Sequence, residues 1–181
     1  MVTASLKSYQ TGDWLVFIRK SDDDLLKHCR VDEFKATGKG GQKRNKVTNA
    51  IRLTLAHLMV TDSSSRSRAT NQQRALRKMR LRIALDTKNI DQRSRFKTFP
   101  REALPYLQGD LIRINTTNPA FPFFVGGFVD LFATTSGDWK KSAETCEFSV
   151  SQLKKFTQKH SSLASALKRI ENIQQIKKEL G

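Results

Sequence analysis

The stretch ATGKGGQKRNKVTNAIRLTL, residues 36–55, places three glycines and a glutamine within a run of positive charge and ends in an alternating apolar pattern. Ile51, Leu53 and Leu55 are separated by single polar residues, and this period of two predicts a half-buried strand. Residues 31–35 are predicted as a short strand that leads into the glycines. The glycine-rich segment is therefore expected to connect elements of a small sheet.

Further elements are predicted on either side of this stretch. Residues 57–61 are expected to pair back with the strand that ends at Leu55. Ser21 stands before three aspartates, which is typical of an N-capped helix with acids in its first turn. A longer helix is predicted from about Asn71 to Leu85, since Gln72, Leu76, Met79 and Ile83 recur at helical spacing. These elements make a small α+β unit.

The rest of the chain has a different pattern. Residues 86–122 contain all four prolines and little periodicity, which is typical of an extended connector. Residues 123–181 read as helices separated by short breaks at 136–137 and 147–148, similar to a helix-turn-helix within a small bundle. We therefore predict an α+β protein in which a small sheet with packed helices carries the Gly-Gly-Gln loop. The predicted parts are 1–85, the connector 86–122 and a C-terminal helical bundle, 123–181.

The net charge of +16 is concentrated around the glycines. Residues 35–82 hold thirteen basic side chains and the single acid Asp62, whereas residues 1–34 and 83–181 are much closer to neutral. A focused positive field indicates a polyanionic partner that is met at one place. Nucleic acid is favoured over a membrane surface because residues 35–82 contain no aromatic residue to insert into lipid.

Several other kinds of site are disfavoured by spacing. Gly38, Gly40 and Gly41 lack the spacing of a P-loop, and no strong buried strand precedes them to build a dinucleotide fold. The two cysteines and three histidines show no metal-ligand spacing, so we expect neither a metal nor a cofactor. No apolar run approaches membrane-spanning length and the N-terminus does not read as a signal peptide, so we expect a cytoplasmic protein without membrane contact.

The order of motifs from residue 31 to 85 resembles a known family. Gly38-Lys39-Gly40-Gly41-Gln42, then Asn45-Lys46, then Arg52-Leu53-Thr54, then Arg66-Ser67 and a basic helix through Asn71 are similar to the Gly-Gly-Gln domain of class I peptide-chain release factors. The resemblance implies a domain that enters the peptidyl-transferase centre and hydrolyses the ester between peptide and transfer RNA. On glycine content alone, a surface loop without a function remains the alternative.

The resemblance also implies roles for individual residues. Gly40, Gly41 and Gln42 would be catalytic, with the backbone N–H of Gln42 stabilising the developing oxyanion. The implied partners are the large ribosomal subunit with its RNA, the acceptor end of peptidyl-tRNA, and a glutamine methyltransferase acting on Gln42; the protein is expected to be a monomer. The expected RNA-binding residues are Lys39, Lys43, Arg44, Asn45, Lys46, Arg66, Arg68, Arg74, Arg77 and Arg80.

Departures from the family pattern narrow the expected function. The codon-reading tripeptides Pro-x-Thr and Ser-Pro-Phe do not occur, so the chain resembles the short release-factor-like proteins that rescue stalled ribosomes more than it resembles codon-reading release factors. Those proteins end in a disordered basic tail, whereas residues 123–181 are predicted to fold. The alternative function is a non-enzymatic helix-turn-helix nucleic-acid-binding protein with an inactive loop. Its recognition helix would be capped by Ser149 or Ser151 and would expose Gln152, Lys154, Lys155 and Lys159.

Overall fold

The computed structural model describes residues 9–35, 48–93, 98–109 and 111–180, and the chain divides into two units. Unit 1 comprises Met1–Gln10 and Val16–Ile83, and unit 2 comprises Thr11–Leu15 and Ala84–Gly181. The short segment Thr11–Leu15 thus belongs to the unit built mainly from the C-terminal half of the chain. The predicted α+β class is confirmed.

Unit 1 contains a three-stranded antiparallel sheet of order β1-β2-β3. Its elements in chain order are the end of α1 (Trp14–Ile18), then α2 (Asp22–Lys27), β1 (Arg30–Lys35), β2 (Thr48–Leu55), β3 (Leu58–Asp62) and α3 (Arg68–Ala84). The central strand carries the alternation read from the sequence, because Ile51, Leu53 and Leu55 are buried while Arg52 and Thr54 are half-buried. One face of β2 therefore supplies core to this unit.

Local sequence explains where the helices of unit 1 begin and which side they bury. The side chain of Ser21 accepts a hydrogen bond from the backbone N–H of Asp24 and caps α2 as predicted. Helix α3 buries Ala75, Leu76 and Met79 on one stripe. It begins at Arg68, about one turn before the predicted start at Asn71, because Ser67 rather than a later residue accepts from the first free N–H groups.

Unit 2 is mainly helical. Short 3-10 turns lie at Thr11–Asp13, Ile90–Gln92 and Leu104–Tyr106, and β4 (Leu107–Gln108) pairs with β5 (Leu111–Ile112). Four helices follow: α4 (Phe121–Thr134), α5 (Trp139–Cys146), α6 (Val150–Gln158) and α7 (Ser161–Leu180). Helix α7 packs against α4 and α6, and α5 contacts α4 and α6. The predicted breaks between the helices are thus observed as turns.

Aromatic side chains form much of the core of unit 2. The ring of Phe124 stacks on Phe99 with centroids 4.9 Å apart and meets Phe156 edge-on at the same separation. Farther along α4, Phe132 contacts Trp139 at 4.9 Å. Since all of these phenylalanines are at most 9% exposed, α4 is the central helix around which the other elements pack.

A buried ion pair ties Thr11–Leu15 to the rest of unit 2. The guanidinium of Arg93 donates to the carboxylate of Asp130, to the carbonyl of Asp86 at 2.7 Å and to the carbonyl of Gly126 at 3.0 Å. Trp14 Nε1 donates to the other oxygen of Asp130 at 2.8 Å, and Arg93 lies over the indole ring. Both charges are paired and hydrogen-bonded, as burial requires.

The division of the chain into the functional parts 1–85, 86–122 and 123–181 stays a prediction. Within the second of these, the described residues include two 3-10 turns and the β4–β5 hairpin. In the part of the chain that the structure describes, no helix combines the length and apolar character needed to cross a bilayer.

Candidate nucleic-acid interface and the base of the glycine-rich segment

The Gly-Gly-Gln segment connects β1 to β2. The predicted catalytic residues Gly40, Gly41 and Gln42 lie outside the described residues, as do Lys39, Lys43, Arg44, Asn45 and Lys46. The described residues on either side fix where the segment leaves and returns. Lys35 and Thr48 are direct partners in the antiparallel ladder, so the two residues that flank 36–47 lie side by side at one end of the sheet.

The ladder changes register at this point. Phe34 pairs with Ala50 and Lys35 pairs with Thr48, so Asn49 is an extra residue in β2 with no partner in β1. A β-bulge of this kind redirects the side chain next to it. The side chain of Asn49 is buried, and its Nδ2 donates to the carbonyl of Ser65 at 2.9 Å. The base of the glycine-rich segment is thus fixed to the turn that precedes α3.

Asn71 completes this network from helix α3. Its Nδ2 donates to the carbonyl of Asn49 at 2.7 Å and to the carbonyl of Ser65 at 2.9 Å, and its Oδ1 accepts from the N–H of Ser65 at 2.8 Å. Asn71 is fully buried, and its bond to the carbonyl of Asn49 is buried as well, so water cannot replace the side chain there. One amide side chain therefore joins the strand that follows the segment to the turn before α3.

We term Asn49, Ser65 and Asn71 the asparagine network. Periodicity does not reveal it, because in the sequence Asn71 indicates only the start of a helix and part of the family motif. A signal was present: Asn71 precedes Ala75 by four positions, so it falls on the apolar stripe of α3, where an amide is unusual. Gln72, which periodicity predicts on this stripe, is only half-buried.

The five described residues predicted to bind RNA are in different environments. Arg66 and Arg77 are exposed and make no hydrogen bond or ion pair within the described ranges. Arg74 is exposed and donates to the hydroxyl of Ser64 at 2.7 Å. Arg68 forms an ion pair with Glu33 of β1. The guanidinium groups of Arg66, Arg74 and Arg77 are thus the most accessible to an anion.

Arg80 has a structural environment that sequence could not reveal. Its guanidinium donates to the carbonyl of Ile18 at 3.3 Å, to the carbonyl of Lys20 at 2.8 Å and to the carboxylate of Asp22 at 2.6 Å. The side chain is only 16% exposed. Arg80 therefore joins α3 to the segment between α1 and α2.

Asp62 is the single acid of the basic segment, residues 35–82, and it is neutralised locally. Its carboxylate accepts from the N–H and hydroxyl of Ser64 at 3.1 and 2.7 Å and forms an ion pair with Lys78 at 2.8 Å. Burial alone would raise the pKa of Asp62, but these contacts hold the pKa below its usual value. The carboxylate stays charged, and Lys78 compensates a charge that would otherwise repel an approaching phosphate.

A family model described as the RF-1 domain matches residues 24–118, which is more than half of the chain. The match runs from within α2 through the sheet, the asparagine network and α3 to the β4–β5 hairpin. It extends beyond the motifs that carry the resemblance in the sequence. No solved structure matches the chain.

Proposed function

The chain belongs to the RF-1 domain family, and on that premise we propose that it hydrolyses the ester bond of peptidyl-tRNA on stalled or terminating ribosomes without reading a stop codon. At the family level, membership supports release-factor-like hydrolysis and interaction with ribosome and tRNA. The observation that carries the proposal is the family match across the segment that contains Gly40-Gly41-Gln42.

The proposed reaction needs few groups from the protein. Water adds to the ester carbonyl, negative charge develops on the carbonyl oxygen, and the bond to the ribose oxygen breaks as that oxygen takes up a proton. A backbone N–H from Gln42, directed at the developing charge, stabilises this transition state without any side-chain ionisation. Gly40 and Gly41 allow backbone angles and a close approach to RNA that a Cβ would hinder.

The asparagine network supports this proposal through geometry. Catalysis by a backbone donor requires placement to within a fraction of an ångström, because the donor must meet the oxyanion rather than the ground-state carbonyl. The pairing of the flanking residues Lys35 and Thr48 and the hydrogen bonds from Asn71 restrain the strands on either side of the segment. We propose that this restraint reduces the entropy lost when the segment takes its catalytic position.

The basic side chains supply the affinity in this proposal. We assign direct phosphate contacts first to Arg66, Arg74 and Arg77, because their guanidinium groups are exposed. Arg68 and Arg80 form ion pairs with acidic residues of unit 1. Any contact that they make with RNA would be made while these ion pairs remain in place. Within residues 36–47, Lys39, Lys43, Arg44, Asn45 and Lys46 would hold the segment to ribosomal RNA and the acceptor end.

The absence of Pro-x-Thr and Ser-Pro-Phe supports rescue or codon-independent termination over stop-codon recognition. We further propose a cytoplasmic monomer, with the large ribosomal subunit as its main partner and a glutamine methyltransferase that modifies Gln42.

The test compares three variants for release of a labelled peptide from peptidyl-tRNA on stalled ribosomes, with ribosome occupancy measured separately. Gln42→Ala keeps the backbone donor and should retain part of the activity. Gln42→Pro removes the N–H and should lose roughly 10²–10³ in rate. Gly41→Ala keeps every N–H and controls for a distorted backbone. Full activity of Gln42→Pro at equal occupancy would eliminate the backbone-donor mechanism, and no release by the native protein would eliminate the proposed function.

A further inference from the structure

A second basic region lies in unit 2, away in sequence from residues 35–82. Between Glu147 and Glu171 the sequence contains no Asp or Glu. The same stretch carries five cationic side chains and covers all of α6 and the first half of α7. The five are Lys154, Lys155, Lys159, Lys168 and Arg169. We term their exposed surface the α6–α7 basic surface.

The structure places these cations on the outside of the bundle. Helix α6 buries Leu153, Phe156 and Thr157, and α7 buries its own apolar stripe from Leu163 to Ile170. All five cationic residues are exposed, and none of them forms an ion pair with a carboxylate of the described residues. Helices α6 and α7 pack against each other, so the cations lie on two neighbouring helices of unit 2.

Helix α6 holds its lysines in a defined position. Ser149 Oγ accepts from the N–H of Gln152 at 3.2 Å while Gln152 Oε1 accepts from the N–H of Ser149 at 2.9 Å, which forms a capping box. Lys154 lies over the ring of Trp139, with Nζ 5.6 Å from the centroid. The surface is thus built on a capped helix rather than on a mobile tail.

Repulsion among these cations destabilises the unbound surface and favours the binding of a polyanion. Lys155 in the last turn of α6 and Lys159 at its C-cap are four positions apart, and like charges at this spacing are destabilising by a few tenths of a kcal/mol. A phosphate backbone would relieve this repulsion and release condensed counterions. The large apolar side chains of α6 within this stretch, Leu153 and Phe156, are buried. The half-buried ring of Trp139 is covered by Lys154 and donates to Glu171, which disfavours its insertion into a lipid bilayer.

We propose that the α6–α7 basic surface binds the phosphate backbone of RNA and gives the protein a second RNA contact, in unit 2. The choice of RNA over DNA rests on the proposed ribosomal function. The contact is to phosphates rather than to bases, because lysine is a point charge without the planar fork that reads guanine. It needs neither peptide release nor the Gly-Gly-Gln segment.

The first test is lysine footprinting of the full chain with an acetylating reagent and mass spectrometry. The probes are an RNA hairpin, a DNA hairpin of the same sequence and phosphatidylglycerol vesicles. We expect the RNA hairpin to reduce the reactivity of Lys154, Lys155 and Lys159 several-fold. Equal reactivity with and without RNA would overturn the proposal, and so would stronger protection by DNA or by vesicles at matched salt. Since no peptidyl-tRNA is present, an inactive enzyme would still give the protection.

The second test measures the salt dependence of binding to the RNA hairpin. Replacing Lys154, Lys155 and Lys159 together by Gln should weaken binding roughly 10- to 100-fold and reduce the slope of log K against log salt by about 2 to 3. The matched control neutralises three other lysines of unit 2, Lys140, Lys141 and Lys178. Lys141 and Lys178 act electrostatically on Asp138, so part of the control charge is already compensated. An equal loss in variant and control would refute a localised surface.

Discussion

Replacing Asn71 by Ala tests whether the asparagine network restrains the glycine-rich segment. The change removes three side-chain hydrogen bonds, to the carbonyls of Asn49 and Ser65 and from the N–H of Ser65. A net contribution near 1 kcal/mol per bond, plus the cost of leaving the partly buried N–H of Ser65 without its partner, predicts a loss of about 2–4 kcal/mol in the free energy of unfolding. Urea denaturation of the full chain measures this loss.

Asn71→Asp separates the donors from the acceptor. The aspartate oxygen can still accept from the N–H of Ser65, but a carboxylate beside two carbonyl oxygens loses both donated bonds and is repelled by them. We expect a loss at least as large as for Ala. Gln73→Ala is the control on the same helix, because Gln73 is exposed, and it should change stability by less than about 0.5 kcal/mol.

The functional readout is the rate of peptide release by Asn71→Ala on saturated ribosomes, at a temperature where the variant remains folded. If the network positions the root of the segment, the release rate falls while ribosome binding persists, since Arg66, Arg74 and Arg77 are unchanged. Stability within about 0.5 kcal/mol of the native protein, together with an unchanged release rate, would refute the reasoning.

Two further predictions follow from the buried charges. Arg93→Met should lower the free energy of unfolding by about 3–5 kcal/mol, measured by urea denaturation, because it leaves Asp130 buried without its ion pair. If the unpaired carboxylate is the cause, the double variant Arg93→Met/Asp130→Leu should recover stability, and no recovery would argue against this cause. The contacts of Asp62 lower its pKa from 3.8, so its contribution to stability is present above that pH and is lost as the pH falls through the lowered value. The urea midpoint of Asp62→Asn should therefore fall less than that of the native protein as the pH is lowered through the acid range. Parallel curves of urea midpoint against pH for the two proteins would contradict this.

Periodicity predicted the elements whose signals are local. The alternation of Ile51, Leu53 and Leu55 identified β2, and the serine before three aspartates identified the start of α2. The breaks in the C-terminal helices were equally visible, since capping residues and short polar turns act within a few positions of the chain.

Contacts between distant residues were not predictable in the same way. The stretch of basic residues on α3 gave no means to distinguish Arg77, which is exposed, from Arg80, which donates to three oxygens near α1 and α2. Likewise, the sequence identifies Asn71 only as a weak helix former, because its hydrogen-bond partners Asn49 and Ser65 are brought to it by the fold. Composition fixes how much charge a helix carries, but packing decides which charges stay accessible.

The membership of Thr11–Leu15 in unit 2 has a consequence for the order of assembly during synthesis. Trp14 is made 116 positions before Asp130, the residue to which its indole donates. The residues of unit 1 from Val16 to Ile83 are complete before α4 exists, whereas unit 2 must bring together two distant parts of the chain. Cleavage between Ile83 and Ala84 would leave Trp14 on one fragment and its acceptor on the other, so the C-terminal fragment is not an autonomous copy of unit 2.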